Sequence, residues 1–210
     1  MIVIFEGPRL VGKTTIIAKL NEVLSAWGLP VETWKDTRGE DPVQDMNAIL
    51  DEGFFTEDKI WLLDRFHMSE WVISKATRRD AYPGSEWAFY QANLQAIDER
   101  LAGMNALIIL ITSSPWFVDQ RATLTGKKDP IGDGQKAQYW WLNTIGKTVC
   151  DMIHVINDKQ NQLERLCFML ADIIAIRWSR QKPKEKKAEL EEMAKELDPD
   201  ATVTEMESEE

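Results

Sequence analysis

The stretch EGPRLVGKTT, Glu6 to Thr15, decides how this chain is read. Gly7 and Gly12 stand five residues apart, and Lys13, Thr14 and Thr15 follow the second glycine directly, which is the spacing G-x-x-x-x-G-K-[ST]. Glycines let a backbone curl so that successive N–H groups point inward at phosphate oxygens, and a helix starting at the lysine adds the positive end of its dipole. In such a loop Lys13 bridges the β- and γ-phosphates and the Thr14 hydroxyl ligates Mg2+. Arg9, in the middle of the loop, is the residue this pattern does not explain.

Working outward, Met1 to Phe5 is a short apolar run rich in β-branched residues, which predicts a strand buried on both faces. Ile16, Ile17, Leu20, Val23, Leu24 and Trp27 then recur at three- and four-residue spacing and predict a helix ended by Gly28 and Pro30. Strand and helix keep alternating: strands at 31–34, 60–63, 106–112 and 152–156, and helices at 43–50, 67–75, 86–101, 116–121, 135–150 and 160–178. Ser113-Ser114-Pro115 reads as a helix start with a hydroxyl cap and a first-turn proline. Strands separated by helices imply an α/β domain, a parallel sheet with helices on both faces. Trp27, Trp87 and Trp178 are expected in the core.

Composition narrows the partners. The chain has 210 residues, 44% of them hydrophobic, and a net charge of -10, enough for one globular domain with a sizeable core. The division expected is a domain over 1–180 and a tail over 181–210. From Lys184 to Glu210 there are eleven acidic and four basic residues, a charge of -7, which leaves about -3 on the body. That tail reads as a solvated helix fading into disorder. A body of this charge lacks the basic surface of an autonomous duplex binder, and a small anion in a local basic pocket fits better. Cys150 and Cys167 fall in apolar helical patterns, so buried thiols in a reducing compartment are expected rather than a disulfide or metal site. No signal-peptide pattern or bilayer-length apolar run occurs, and the expectation is a cytoplasmic protein with no membrane partner. The helix ending CFMLADIIAIRW, Cys167 to Trp178, is apolar nearly all round, consistent with burial in the core or in a homodimer interface.

A second motif is IWLLDRFHMSEWV, Ile60 to Val72. Asp64 closes an apolar strand and so emerges at the sheet edge that carries the glycine loop, where ligands bind in open α/β sheets. A carboxylate there can hold Mg2+, and Arg65 can reach a transferring phosphate. His67 neighbours this pair and is the one histidine with a claim to touch substrate. His154 has none.

With these residues in view, the sequence resembles the thymidylate kinases and their neighbours, the deoxynucleoside kinases. FEGPRLVGKTT resembles that family's phosphate loop, and Asp64, Arg65, Phe66 and Ser69 resemble its D-R-aromatic-x-x-S motif. ALIILIT and RATLTGKKDP resemble its fourth strand and lid. The resemblance covers most of Met1 to Trp178. It implies the three-layer P-loop NTPase fold with a five-stranded parallel sheet, ATP and Mg2+ as cofactors, and a nucleotide or nucleoside acceptor. ATP would lie on Gly7, Pro8, Arg9, Leu10, Val11, Gly12, Lys13, Thr14 and Thr15, with Thr14 and Asp64 as metal ligands. Phosphoryl transfer is mostly positioning and charge neutralisation, so Lys13, Asp64, Arg65 and Arg121 are the candidate catalytic residues. Arg121, Lys127 and Lys128 are the candidate lid cations, in a lid over about 121–135.

The sequence also departs from that family. Thymidylate kinases typically carry an acidic residue where Arg9 stands, holding the acceptor's sugar hydroxyl, and a guanidinium prefers phosphate or carboxylate instead. WKDTRGEDP, Trp34 to Pro42, only loosely resembles the acceptor-phosphate loop, and Glu-Trp-Val-Ile-Ser follows Ser69 where the family often has A-Y-Q. Three readings follow. In a deoxynucleoside monophosphate kinase, Arg9, Arg38 and Arg65 bind the acceptor. In a kinase of a hydroxyl acceptor, a deoxynucleoside or a modified base or end in DNA, Asp36 is the candidate base and Trp34, Trp61 or Trp71 stacks on a base, although the acidity disfavours a polynucleotide. A non-enzymatic nucleotide-binding module is the third, against which Lys13, Thr14 and Asp64 stand intact.

Overall fold

The computed structural model describes residues 1–35, 41–77, 85–158 and 162–181. Among these, the chain runs β1 (Ile2–Glu6), α1 (Lys13–Ala26), β2 (Val31–Lys35), α2 (Pro42–Asp51), β3 (Ile60–Asp64), α3 (His67–Thr77), α4 (Ser85–Gly103), β4 (Leu107–Thr112), α5 (Pro115–Thr125), α6 (Gly134–Ile145), β5 (Asp151–Ile156) and α7 (Leu163–Gln181). The five strands form one sheet in the order β2-β3-β1-β4-β5, and every pairing is parallel. Asp36, Arg38 and the acidic tail lie outside the described residues.

Side-chain alternation along the central strands builds two cores. Ile2 and Ile4 of β1, Trp61 and Leu63 of β3, and Ile108 and Leu110 of β4 face one way, into a cluster completed by α2, α3, α4 and α6. Val3 and Phe5, Ile60 and Leu62, and Leu107, Ile109 and Ile111 face the other way, against α1 and α7. Ile16, Leu20 and Leu24 of α1 are fully buried on that side, each contributing about 1.5–3 kcal/mol by removal from water. The edge strands β2 and β5 are mostly exposed or half-buried. Two cores around a twisted parallel sheet make three layers. No described helix is long and apolar enough to cross a membrane.

The structure differs from the sequence-based expectations in five places, one of them Trp87, which is half-buried and stacked on Tyr90 at the start of α4 rather than in either core. Ser114 precedes α5, but its side chain makes no cap bond; Asp158 instead accepts from the Ser114 N–H and, at 3.0 Å, from the Ser113 hydroxyl. The helix expected over 135–150 stops at Ile145. Residues beyond it turn to serve Asp98, which accepts from the Thr148 hydroxyl and the Val149 N–H, each at 2.7 Å. Trp27 is 43% exposed because it sits at the C-terminal cap of α1, past the last turn that faces the sheet. On α7, Cys167, Leu170, Ala171, Ile174 and Trp178 are buried, whereas Phe168, Met169 and Ile176 remain about half exposed. Both thiols are free and buried, and burial pushes Cys150 up to about 12 and Cys167 up to about 11.

His67 is fully buried at the start of α3, and its Nε2 lies 2.7 Å from Oδ1 of Asp98 on α4. Burial works to raise the Asp98 carboxyl, but the bond and charge of His67, with Val149 and Thr148, hold it below its usual range. Breaking a buried pair leaves the surviving group without a partner, so Asp98→Asn is expected to cost roughly 3 kcal/mol at pH 7. A depressed carboxyl gives stability that is present above its unfolded pKa and lost as pH falls through the folded one. The deficit of the variant should therefore narrow below about pH 4, as read by urea unfolding between pH 7 and pH 3.

Candidate phosphate-binding site

The C-terminal ends of the strands and the loops leaving them surround a cavity of about 890 Å3 lined by Arg9, Leu10, Gly12, Lys13, Thr14, Thr15, Lys35, Asp64, Arg65, Arg121, Lys127, Asn157 and Leu163. The lining carries six cationic side chains and one carboxylate, a composition suited to a polyanion. Its position follows from topology: the connection leaving β1 runs to β2 on one side, the connection leaving its neighbour β3 crosses to β4 on the other, and ligands bind at such a switch point.

The loop from β1 to α1 is shaped by two glycines with positive φ. Gly7, at φ 135°, passes so close to β4 that an added Cβ would fall 2.0 Å from the Ile111 carbonyl oxygen. Gly12, at φ 94°, would put a Cβ 2.8 Å from Nδ2 of Asn157. Side chains from three regions grip the loop's carbonyls. Lys13 Nζ donates to Gly7 O at 2.8 Å and to Pro8 O at 2.6 Å, Arg121 Nη1 to Leu10 O at 2.7 Å, and Asn157 Nδ2 to Val11 O at 2.8 Å. Burial pushes the Lys13 ammonium down to about 7, helped by the Arg65 charge and opposed by Asp64, Glu6 and Asp129.

The Thr14 hydroxyl donates to Asp64 Oδ2 at 2.6 Å. A hydroxyl and a carboxylate side by side are the hard oxygen donors that Mg2+ takes while it keeps several waters, and the cationic lining suits the phosphates, so the residues present fit Mg-ATP. Arg65, next to Asp64, has φ 74°, the left-handed region that a non-glycine residue enters at a cost and that clusters at functional sites.

Arg9 joins the loop to the segment after α5. Its backbone N–H donates to Asp129 Oδ2 at 2.5 Å and its Nη1 to Lys128 O at 3.0 Å; Asp129 also accepts from Ile131 N at 2.9 Å. Of the three lid candidates, Arg121 lies within α5, its guanidinium 4.4 Å from the centre of the Phe117 ring, Lys127 lines the cavity, and Lys128 meets the loop through its carbonyl.

Other candidates sit elsewhere. Trp71 is 4% exposed within the core cluster, away from the cavity lining. Trp34 packs edge-on to Phe55 and Phe66, and Trp61 donates to Thr56 O at 3.2 Å, so packing accounts for both. His67 is enclosed with Asp98 rather than facing the cavity. Lys35, Asn157, Asp129 and Glu6 are absent from the sequence-based set. Lys35 had a signal, a cation at the end of a predicted strand on the ligand edge. Asn157 and Asp129 reach the loop from 146 and 120 residues away, and no local pattern marks them.

No protein-family model matches the chain. The curated thymidylate kinase of Bacillus velezensis is 36% identical over 50 residues, so the match spans about a quarter of each chain, 24% of this one and 24% of that enzyme. The crystal structure of the YorR protein from Bacillus subtilis, in complex with phosphorylated GDP, superposes with a TM-score of 0.59 over 87% of this chain and 99% of that chain, at 16% identity. The superposition establishes the three-layer α/β fold, and the thymidylate kinase match is a local likeness over a quarter of the chain.

Proposed function

We propose that this protein is a thymidylate-kinase-like deoxynucleoside monophosphate kinase, transferring the γ-phosphate of ATP to the phosphate of a nucleotide acceptor. The observation that carries the reading is the cavity itself: six cations converge beside a Thr14–Asp64 oxygen pair at the head of a glycine phosphate loop. Lys13 and the loop hold the donor phosphates, and Thr14 and Asp64 hold Mg2+, which when bound shields the negative charge of the phosphate oxygens. An oxygen of the acceptor phosphate bonds to the γ-phosphorus as the bond to the β–γ bridging oxygen breaks. Arg65 and Arg121 neutralise the charge spread over the moving group.

A phosphate oxygen needs no base, whereas a hydroxyl acceptor does. Among the described residues the lining contributes one carboxylate, Asp64, and it is engaged with Thr14. This favours a phosphate acceptor, met by Arg9, Lys35 and Arg65. The match to a thymidylate kinase suggests dTMP, and the phosphorylated GDP carried by the YorR structure brings guanine nucleotides into consideration.

The deciding assay is transfer of radiolabelled γ-phosphate from Mg-ATP to the deoxynucleoside monophosphates, the free deoxynucleosides and short DNA. Labelling of a monophosphate is expected; labelling of DNA or nucleosides alone would replace this reading with a hydroxyl acceptor and turn attention to Asp36. Lys13→Ala should lower turnover by about a thousandfold or more while circular dichroism stays that of the wild type. Arg9→Asp removes the guanidinium bond to Lys128 O but keeps the backbone bond to Asp129, and, with Arg9 among the cations that meet the acceptor phosphate, is expected to lower kcat/KM for the monophosphate by about tenfold or more; a rise on dTMP would mean that Arg9 diverts the protein from that acceptor, and no change that it points away from the acceptor site.

A further inference from the structure

Glu6, the first residue of the opening stretch, has no place in the phosphate-loop signature, yet it is fully buried. Its Oε1 accepts from the backbone N–H of Phe66 at 2.9 Å and of Ser69 at 3.2 Å. Its Oε2 accepts from the Ser69 hydroxyl at 2.5 Å. Both oxygens are thus spent on the start of α3. Phe66, the residue before that helix, has a ring that cannot accept an N–H, so a side chain from β1 does what a local cap would do.

The consequence lies one residue earlier. Arg65 N–H donates to Phe5 O at 3.1 Å, so the amides of Arg65 and Phe66 are held by the consecutive residues Phe5 and Glu6. These two amides bracket the Arg65 backbone at φ 74°, and a left-handed non-glycine residue persists only where its surroundings over-determine it. We propose that Glu6, with Ser69, is a positioning residue for phosphoryl transfer: it locks the Asp64–Arg65 corner to the strand that feeds the phosphate loop, so that Arg65 and the loop hold one fixed relation to the reacting phosphates. The inference rests on the kinase reading above. A buried carboxylate is costly unless its hydrogen bonds are met, and here three donors meet it, all on the α3 side of the corner. Ser69, matched only as a letter of the D-R-aromatic-x-x-S motif, thereby acquires a physical role.

The test compares wild type with Glu6→Gln, Ser69→Ala and Ser69→Thr. It measures kcat, both KM values on the monophosphate that wild type phosphorylates fastest, Mg-ATP affinity by calorimetry, and amide hydrogen exchange at Arg65, Phe66 and Ser69. Glutamine keeps the size but turns one acceptor oxygen into a donor. Glu6→Gln should lower kcat by about a hundredfold, the effect of a misplacement near 1 Å, leave ATP affinity within about threefold, and speed exchange at Phe66. Ser69→Ala should lower kcat about tenfold, and Ser69→Thr, which keeps the hydroxyl, should restore it. A folded Glu6→Gln with wild-type kcat would overturn the proposal, as would ATP affinity falling in step with kcat. If Glu6→Gln does not fold, the Ala and Thr variants at Ser69 decide by the same two criteria. If wild type transfers no phosphate, the kinase reading fails on that ground alone, and exchange decides the positioning: acceleration at Arg65 and Phe66 supports it, and unchanged exchange refutes it.

Discussion

Four carbonyls of the phosphate loop, those of Gly7, Pro8, Leu10 and Val11, are gripped by side chains from three parts of the chain: Lys13, adjacent to the loop at the start of α1, and, 111 and 146 residues away from the carbonyls they bond, Arg121 on α5 and Asn157 just past β5. The loop's shape is therefore a tertiary property as much as a local one. Glycines permit the curl, and the donors select one curl among those permitted. Asp129 adds a fourth hold through the Arg9 N–H, so the segment after α5 and the loop are fastened together.

The same logic explains the position of the charges. A parallel sheet puts the C-terminal ends of β1, β2 and β3 on one edge, and each contributes a charged group there: Lys13 just after the β1 loop, Lys35 at the end of β2, and Asp64 with Arg65 at the end of β3. Six cations around a single cavity repel one another, and the one carboxylate of the lining, Asp64, offsets only part of that repulsion. The depressed Lys13 ammonium reflects that, with burial as its larger cause. Away from this edge the interior is largely apolar, and buried polar side chains there bond to one another, as His67 Nε2 and Asp98 Oδ1 do at 2.7 Å.

Much of the architecture was readable because periodicity survives in the local sequence. Val3, Ile4 and Phe5, and Ile108, Ile109 and Leu110, are buried on both faces and read as unbroken apolar runs; Ile16, Leu20 and Leu24 mark the inner stripe of α1. The tryptophans were less legible. Trp27 continues the helical spacing of its neighbours but falls one residue beyond the helix, whereas Trp71 lies in the motif helix yet faces the core, because the face a helix buries depends on what packs on it. The end of α6 departs from the sequence pattern for a related reason: the Asp98 carboxylate on α4 takes the Thr148 hydroxyl and the Val149 N–H.

The sequence by itself determined the phosphate loop, the Asp64–Arg65 corner and the alternation of strand and helix, since each depends on residues close together in the chain and on the short-range sterics of glycine and of apolar periodicity. Tertiary structure alone decided the strand order, the pairing of Arg121, Asn157 and Asp129 with the loop, and the burial of Glu6 against α3. Those contacts join residues 60 to 146 positions apart, and a buried carboxylate or amide acquires its partner only when the sheet has brought the two segments to the same edge.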